Sequence, residues 1–233
     1  MMLLNKYIAS SGICSRRKAV EYIKDGLVQI NDETVNQPFH KVLASDTVLI
    51  EGKVVTPQKF KYFLLNKPKS VICTLFDPQN RKTIADLFSH IDERIYPVGR
   101  LDRNTTGVIV ITNDGDLAQK LAHPRYAVKK IYDVTLDKSI SPYHFNQLKK
   151  GLRLEDGFMK VDNVYYNNPR HKNSCSVVIH SGKNHIVKRL FTEIGFKVIK
   201  LDRSFFGGLT KKNLPSGTYR KLTTVEVDLL KKV

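Results

Sequence analysis

Strand-forming segments follow one another along most of this chain of 233 residues, and few helices separate them. Parallel strands need long crossover connections, usually helices, and regular alternation of strands with helices is absent here. We therefore expect an α+β fold whose main sheet is mixed and largely antiparallel. Apolar and β-branched runs predict its strands at 62–65, 71–74, 108–112, 132–136, 163–166 and 174–180.

Three helices are predicted among these strands, each from a start signal followed by apolar residues at helical spacing. The segment DLAQKLAH has Asp114 or Asp116 as its candidate N-cap. A second helix begins at Ser141 with Pro142 in its first turn. The third covers HIVKRLFTEI, for which Asn184 is the expected N-cap.

The N-terminal part of the chain predicts a small, separate αβ module. A short helix is followed by a turn and by a second helix capped at Ser15, and a hairpin is expected within 47–55. The polar stretch 56–61 contains proline and is typical of a linker. We therefore expect two domains, at 1–58 and 59–233.

The second helix of this module starts with three cations, Arg16, Arg17 and Lys18. The helix dipole favours anions at this end, and each misplaced cation costs about 0.3 to 1 kcal/mol. Helix stability therefore does not explain the choice of residues. A phosphate bound at the helix N-terminus would explain it, and so would a solvated charged face whose repulsion salt screens.

The charge of the chain favours a polyanionic partner. Lys and Arg number 39 against 22 Asp and Glu, which gives a net charge of +17 and a pI near 9.8. Residues 1–60 carry 8 basic and 6 acidic side chains, whereas residues 61–233 carry 31 and 16. Most of the positive excess therefore lies in the larger predicted domain.

Cysteine usage and hydropathy point to a soluble, cytoplasmic protein. Cys14, Cys73 and Cys175 are far apart and lack the spacing of metal ligands, as do the seven histidines. No run approaches about 18 apolar residues, and the N-terminus lacks the pattern of a secretory leader. We expect neither a metal site nor association with a membrane.

The segment GRLDRNTTG places an acid, Asp102, between Arg100 and Arg103 and leads directly into the apolar run VIVIT. A side chain on a loop beside a rigid strand is well placed for function, and neighbouring arginines favour its ionised form. A structural ion pair that ties the loop explains the same pattern. Taken alone, this short motif fits the structural role better.

This segment, followed by TNDG, resembles the signature of pseudouridine synthases in the branch that modifies ribosomal RNA, often called the RsuA family. The N-terminal segments LNKYIASSGICSRRKA and GLVQIN resemble the RNA-binding domain named after ribosomal protein S-four. The resemblance covers essentially the whole chain. Further motifs occur in the family's order: Asn66-Lys67-Pro68, Lys130-Ile131-Tyr132, GKNHIVKR at 182–189, Leu201-Asp202-Arg203 and GGL at 207–209.

The resemblance implies that the protein isomerises a chosen uridine in RNA to pseudouridine without a cofactor or metal. Asp102 would act on the ribose, either by adding to C1′ or by removing a ribose proton. Tyr132 would lie beside the base as proton acceptor or stacking surface, and Lys188 would pair with Asp102. Without the resemblance, Tyr132 is interpreted as a core aromatic and Lys188 as part of a solvated helix face.

The target uridine must leave the RNA stack to be reached. The resemblance implies that Arg100 fills the space it vacates, while Arg103 meets phosphate. Residues 183–212 contain 8 basic and 2 acidic side chains, and we expect RNA contacts from Lys183, Arg189 and Arg203 in this stretch. The expected partner is ribosomal RNA or a pre-ribosomal particle, bound by a monomer.

Two other functions compete with this interpretation. An RNA-binding assembly factor that has lost catalysis would retain both domains, but it would not need Asp102, Tyr132 and Lys188 together. A hydrolase that directs an aspartate to a sugar carbon would need a second carboxylate. The motif offers only Asp114 and Asp116, which are better explained as helix caps.

Overall fold

The computed structural model describes all 233 residues, and they form two compact units. The first unit comprises Met1–Lys61, His90–Ile95 and Asn113–Gly115. The second comprises Tyr62–Ser89, Tyr96–Thr112 and Asp116–Val233. No helix is long and apolar enough to cross a membrane.

The first unit contains the helices and the hairpin that were expected in the N-terminal αβ module. Its helices are α1 (Leu4–Ser10) and α2 (Arg16–Lys24), and the Ser15 side chain accepts a hydrogen bond from the Lys18 amide at 3.2 Å, so the predicted N-cap is confirmed. Its strands are β1 (Met2–Leu3), β2 (Val28–Ile30), β3 (Glu33–Thr34), β4 (Lys41–Val42), β5 (Val48–Ile50) and β6 (Lys53–Val54).

The strands of the first unit form a four-stranded sheet, in the order β3-β2-β5-β6, and a separate pair of β1 with β4. The predicted hairpin is present between β5 and β6, where Glu51 and Gly52 adopt φ of 48° and 75°, as a tight primed turn requires. Leu4, Ile8 and Ile23 of the helices are fully buried against the sheet residues in one apolar cluster.

The second unit is built around one large sheet. Its helices are α3 (Gly115–Ala122), α4 (Pro142–Lys150), α5 (Ile186–Glu193) and α6 (Thr224–Lys232). Its strands are β7 (Tyr62–Lys67), β8 (Tyr96–Pro97), β9 (Thr106–Thr112), β10 (Lys130–Leu136), β11 (Leu152–Leu154), β12 (Gly157–Met159), β13 (Asn163–Tyr166), β14 (Ser174–Ile179), β15 (Val198–Phe206), β16 (Leu209–Thr210) and β17 (Tyr219–Lys221).

The order of the main sheet is β13-β14-β10-β15-β9-β7-β17, with β16 paired to β15 and β8 to β9. Strands β9 and β15 are parallel, and the other pairings are antiparallel. The predicted mixed, largely antiparallel α+β fold is therefore confirmed. Its core includes Leu64, Val108 and Val110 from the sheet, together with Leu117 of α3 and Leu230 of α6.

Gly107 makes the parallel junction between β9 and β15 possible. Its φ is +108°, and a Cβ built at this position would overlap the backbone of Arg203, its register partner on β15. Only glycine combines this backbone conformation with so close an approach. The junction lies five residues after Asp102 and therefore fixes where the loop before β9 ends.

The structure corrects two expectations and adds elements that were not predicted. Residues 71–74 are not a strand, because only an isolated bridge joins Ile72 to Thr83. The nine-residue strand β15 and the C-terminal helix α6 were not expected. The third predicted helix begins at Ile186 and is preceded by His185 at φ 49°, so Asn184 is not its N-cap.

Candidate active site

A cleft of about 120 Å³ in the second unit brings together the three residues expected to carry the chemistry or lie beside the base. Asp102 and Tyr132 line it, and Lys188 reaches the Asp102 carboxylate from α5. The wall is otherwise a mixture of apolar and basic side chains, including Leu101, Arg100, Lys130, Lys183, His185, Ile186, Val187, Leu201, Arg203 and Phe206.

The Asp102 carboxylate is contacted on both oxygens by cationic or ionisable partners. Lys188 Nζ lies 2.5 Å from Oδ2, and His185 Nε2 lies 3.1 Å from Oδ1. The Thr105 hydroxyl donates to Oδ2 at 3.3 Å. Arg100 and Arg103 lie within two positions of Asp102 in the sequence, yet its charge partners are His185 and Lys188. The carboxylate therefore does not form an ion pair within its own loop.

Buried groups beneath the loop 99–105 hold its backbone. The Lys67 side chain is fully buried, and its ammonium donates to the Arg103 carbonyl at 3.2 Å. The Ser70 amide donates to the same carbonyl at 2.8 Å, and the Leu101 amide donates to Cys73 Sγ at 3.3 Å. Burial lowers the pKa of Lys67 and raises the pKa of Cys73.

The first turn of α5 positions Lys188 at the edge of the cleft. Ile186, Val187 and Leu190 are buried on the inner face of the helix, so Lys188 lies at the boundary, with 34% of its side chain exposed. A lysine at this boundary keeps its stem against protein while its ammonium reaches a carboxylate. His185, immediately before the helix, adopts φ 49°, a left-handed conformation that few non-glycine residues adopt.

Tyr132 lies on β10 and is 9% exposed. Lys130 precedes it by two residues and lines the same cleft, since alternate residues of a strand share a face. Arg203 of β15 is the register partner of Tyr132 in the neighbouring strand. One buried cation therefore lies two residues before the tyrosine on its own strand, and another lies next to it on the neighbouring strand.

Arg203, which the sequence analysis predicts as an RNA contact, is buried in the cleft. Only 2% of the residue is exposed, and its Nε donates to the Val108 carbonyl at 2.8 Å. Its guanidinium carbon lies 4.7 Å from the centroid of the Phe206 ring, so an aromatic face also contacts the cation. The side chain forms part of the cleft wall rather than of an outer basic surface.

Lys183 and Arg189, which are also predicted RNA contacts, both lie beside a carboxylate. Arg189 makes a two-pronged contact with Asp156, at 2.5 and 3.1 Å, and Lys183 Nζ lies 3.6 Å from the same carboxylate. The Arg189 guanidinium holds the pKa of Asp156 at about 2. Asp156 lies between β11 and β12, so an RNA phosphate that binds here would compete with this hairpin.

The remaining predicted RNA contacts are exposed. Arg100 and Arg103 are both exposed on the loop that carries Asp102, and Arg100 lies at the edge of the cleft. In the first unit, Arg16, Arg17 and Lys18 form an exposed first turn of α2. Lys18 contacts Glu21 at 2.7 Å, and no acidic residue lies in that turn.

Two residues that sequence reasoning did not assign to the site lie within it or beneath it: Lys67 supports the loop, and Lys130 lines the cleft. The family resemblance implies that His185 borders the pocket, and the structure adds its contact with Asp102. Lys67 and Lys130 belong to the motifs that carried the family resemblance, but no periodicity or spacing distinguishes a lysine that is buried from one on the surface. No cluster of three or more His, Cys, Asp or Glu side chains is arranged to hold a metal ion.

Comparisons with known proteins identify the family of the chain. The sequence profile described as RNA pseudouridylate synthase matches residues 61–193, and the S4 domain profile matches residues 2–48. The chain is 40% identical over 235 residues to ribosomal large subunit pseudouridine synthase B of Bacillus subtilis, covering 99% of this chain and 96% of the relative. It is 39% identical over 227 residues to an uncharacterized RNA pseudouridine synthase of Aquifex aeolicus, covering 96% and 91%.

A solved structure supports the same assignment. The crystal structure of a pseudouridylate synthase superimposes with a TM-score of 0.71 at 28% sequence identity, covering 99% of this chain and 100% of the other. The resemblance that the sequence motifs indicated is therefore confirmed along the whole length. The chain belongs to the RNA pseudouridylate synthase family and carries an S4 domain in its N-terminal part.

Proposed function

We propose that this enzyme isomerises a specific uridine of ribosomal RNA to pseudouridine, with Asp102 as the residue that acts on the ribose. The observation that carries the proposal is the contact between Asp102 and Lys188 inside a cleft that Tyr132 also lines. The name of the Bacillus subtilis relative favours RNA of the large ribosomal subunit as the substrate.

Asp102 suits a role at the sugar because its contacts stabilise a carboxylate. A lysine ammonium and a threonine hydroxyl both donate to Oδ2, and His185 lies beside Oδ1. A quarter of the Asp102 side chain is exposed, so a ribose can reach it from the cleft. The carboxylate adds to C1′ or removes a ribose proton, and either step requires it to be ionised and held in place.

Tyr132 offers a flat surface for the uracil ring inside the cleft. Its ring is buried, and its backbone belongs to a central strand of the sheet, which supports a rigid stacking partner for the base. Its phenol is also a candidate acceptor for the proton that leaves C5. Tyr132→Phe would remove the second role alone and leave stacking intact.

The cleft can accept a uridine only after the nucleotide leaves the RNA stack, which costs a few kcal/mol. Arg100 is exposed at the edge of the cleft, and its flat cation suits the space that the base vacates. Arg103 on the same loop suits a phosphate contact. In the S4 domain, the exposed cations Arg16, Arg17 and Lys18 suit a second contact to the RNA backbone.

We place the boundary between a targeting domain and a catalytic domain near residue 58, and we propose that one copy of the chain acts on ribosomal RNA or a pre-ribosomal particle in the cytoplasm. The +17 charge supports a partner of this kind. Mapping pseudouridines in ribosomal RNA from cells with and without the gene identifies the target. An unchanged map would contradict the assignment to ribosomal RNA.

The direct test is Asp102→Asn, measured by tritium release from ribosomal RNA labelled at C5 of uridine. We expect no detectable turnover and nearly unchanged RNA affinity, because the amide keeps the shape of the side chain but not its charge. Asp162→Asn is the control, since it removes a carboxylate that contacts His180 and does not line the cleft. Turnover of Asp102→Asn near the wild-type rate would refute the role of Asp102.

A further inference from the structure

Two buried cations flank Tyr132 in the cleft, and no carboxylate contacts either of them. Lys130 and Tyr132 share a face of β10, and Arg203 is the cross-strand neighbour of Tyr132 on β15. The exposed fractions of Lys130 and Arg203 are 8% and 2%. Both line the cleft that contains Asp102.

Backbone carbonyl groups hold these cations but leave donors unused. Lys130 Nζ donates to two carbonyl oxygens at 3.1 and 2.9 Å, so one of its three ammonium protons remains. Arg203 Nε has a carbonyl partner, but the buried Nη2 has no hydrogen-bond partner. A buried donor without a partner is uncommon in native proteins and needs a physical explanation.

Neighbouring buried cations are costly unless an anion compensates them. Burial lowers the pKa of Lys130 to about 8, and the charge of Arg203 contributes to the same shift. Asp102 is the one acidic side chain that lines the cleft, and Lys188 and His185 already contact it. No carboxylate of the cleft is therefore left to compensate these two cations, and a bound anion would supply this charge.

We propose that Lys130 and Arg203 stabilise the negative charge that develops on uracil as it leaves the ribose. The inference rests on the proposed isomerisation, because that reaction creates an anion beside Tyr132. It gives both residues a catalytic role that is separate from the role of Asp102, which acts on the sugar.

The chemistry balances without a further reactant. When the C1′–N1 bond breaks, both bonding electrons leave with uracil, and the charge is shared among N1, O2 and O4 of the ring. At the same time the Asp102 carboxylate either bonds to C1′ or takes the C2′ proton so that C1′ and C2′ form a double bond. The unused proton on Lys130 Nζ donates to this anion, and the positive charge of the buried Arg203 guanidinium beside it adds to the stabilisation. After the ring turns, C5 bonds to C1′, the C5 proton leaves to a base, N1 takes up a proton and the Asp102 carboxylate is regenerated.

The first test compares Lys130→Met with Lys129→Met, since Lys129 is the exposed lysine next to it. The probe is ribosomal RNA labelled with tritium at C5 of uridine and isolated from cells that lack the gene. At saturating enzyme in a single turnover, we expect Lys130→Met to be slower by about 10²-fold, the loss typical for one such donor. RNA affinity should change by less than about twofold, because the charge acts on the leaving base and not on the RNA backbone. Lys129→Met should match the wild type.

Two outcomes overturn the inference. Equal single-turnover rates for Lys130→Met and Lys129→Met would show that the buried charge does not act in the chemical step. Weakened RNA binding by Lys130→Met with an unchanged rate at saturation would show that the cation binds a backbone phosphate instead. Circular dichroism confirms that the variants compared are folded.

The second test uses the wild-type protein and does not depend on a variant that folds. The rate constant at subsaturating enzyme reports ionisations of the free protein, and we expect it to fall above about pH 8 as Lys130 loses its proton. Lys130→Arg, which stays charged, should lack this fall. A wild-type rate that stays constant through this range and well above it would overturn the inference. The other ionisable groups that line the same cleft are Arg100, Asp102, Tyr132, Lys183, His185 and Arg203.

Failure of this inference is distinguishable from failure of the proposed function. If the wild-type protein releases no tritium from the labelled RNA, the isomerisation itself is wrong. If the wild type is active and Lys130→Met is equally active, the isomerisation stands and only the role of the buried cations is refuted.

Discussion

The ammonium of Lys188 lies 2.5 Å from the carboxylate of Asp102, although 86 positions separate the two residues along the chain. The loop before β9 supplies the acid, and the first turn of α5 supplies the lysine. Asp102 therefore owes its ionic contacts to the tertiary fold and not to Arg100 or Arg103 beside it in the sequence.

Replacing Lys188 tests what this contact contributes to the reaction. We expect Lys188→Met to lower the rate at saturating RNA by about 10²-fold, because the carboxylate loses its shortest donor and its position. Lys188→Arg should restore part of the rate. Lys149→Met, at an exposed position in the last turn of α4, is the matched control. A rate of Lys188→Met equal to that of the control would contradict a catalytic contribution.

Lys67→Met should loosen the loop that carries Asp102. The variant removes the donor to the Arg103 carbonyl, so we expect faster trypsin cleavage after Arg100 or Arg103 and a lower isomerisation rate. Lys69→Met is the control, because Lys69 is exposed two residues later. Cleavage at these arginines is followed by mass spectrometry. Indistinguishable cleavage of the two variants would show that Lys67 does not restrain the loop.

Gly107→Ala should destabilise the second unit by more than about 2 kcal/mol. The new Cβ would overlap the Arg203 backbone, and alanine is strained at a φ of +108°. Gly195→Ala separates the two effects, because Gly195 also has a positive φ, of 80°, but no heavy atom lies near its added Cβ. Urea unfolding of both variants gives the comparison. Equal losses of stability would mean that strand packing contributes nothing beyond backbone strain.

Because Lys130 is buried, we expect the stability of the folded protein to rise with pH. Its pKa is about 8 in the folded protein against an ordinary value of 10.5, so between these values the unfolded chain binds more protons. The free energy of unfolding should therefore increase as the pH rises from about 8 towards 10, by at most about 3 kcal/mol. Urea titrations of wild type and Lys130→Met at about pH 7.5 and 9.5 isolate the contribution of Lys130 to the free energy of unfolding. The same pH dependence in both proteins would show that Lys130 makes no such contribution.

The first turn of α2 should contribute to RNA binding and not to chemistry. Combined replacement of Arg16, Arg17 and Lys18 by glutamine should weaken RNA affinity and reduce the salt slope by roughly 0.7 for each phosphate that is no longer neutralised on single strands. The rate at saturating RNA should stay the same. Replacement of the exposed Lys24, Lys41 and Lys53 by glutamine is the charge-matched control. If the two sets of substitutions weaken RNA binding equally, the first turn of α2 contributes only through the net charge of the protein and is not a specific RNA contact.

The strands that were predicted share a regular apolar pattern, which strand β15, not predicted, lacks. The sequences of strands β7, β9, β10 and β14 are either apolar or alternate between apolar and polar residues. Strand β15, in contrast, contains Lys200, Asp202 and Arg203 among its apolar residues. Arg203 is buried at the cleft and Asp202 contacts Lys211 at 2.5 Å, so tertiary partners accommodate charges that obscure the pattern. Helix α6 carried a readable signal, the capping box of Thr223 and Glu226.

Residues 71–74 do not form the expected strand, because this segment supports the loop that carries Asp102. Val71 and Cys73 are buried, as one face of a strand would be, but the backbone turns so that Cys73 receives the Leu101 amide beneath the Asp102 loop. The composition of a segment predicts whether it is buried, but it does not predict the path of its backbone. In the same way, motifs placed Asp102, Tyr132 and Lys188 in order, while the contact of His185 required the fold.

The position of β15 between β9 and β10 has a consequence for how the enzyme matures. A chain that has been synthesised only as far as α5 already contains Asp102, Tyr132 and Lys188, but the middle of its sheet is missing. Strand β15 must insert between two strands that precede it by far in sequence, a long-range step that is characteristically slow. Catalytic competence should therefore appear late in synthesis, so that an incomplete chain cannot modify RNA.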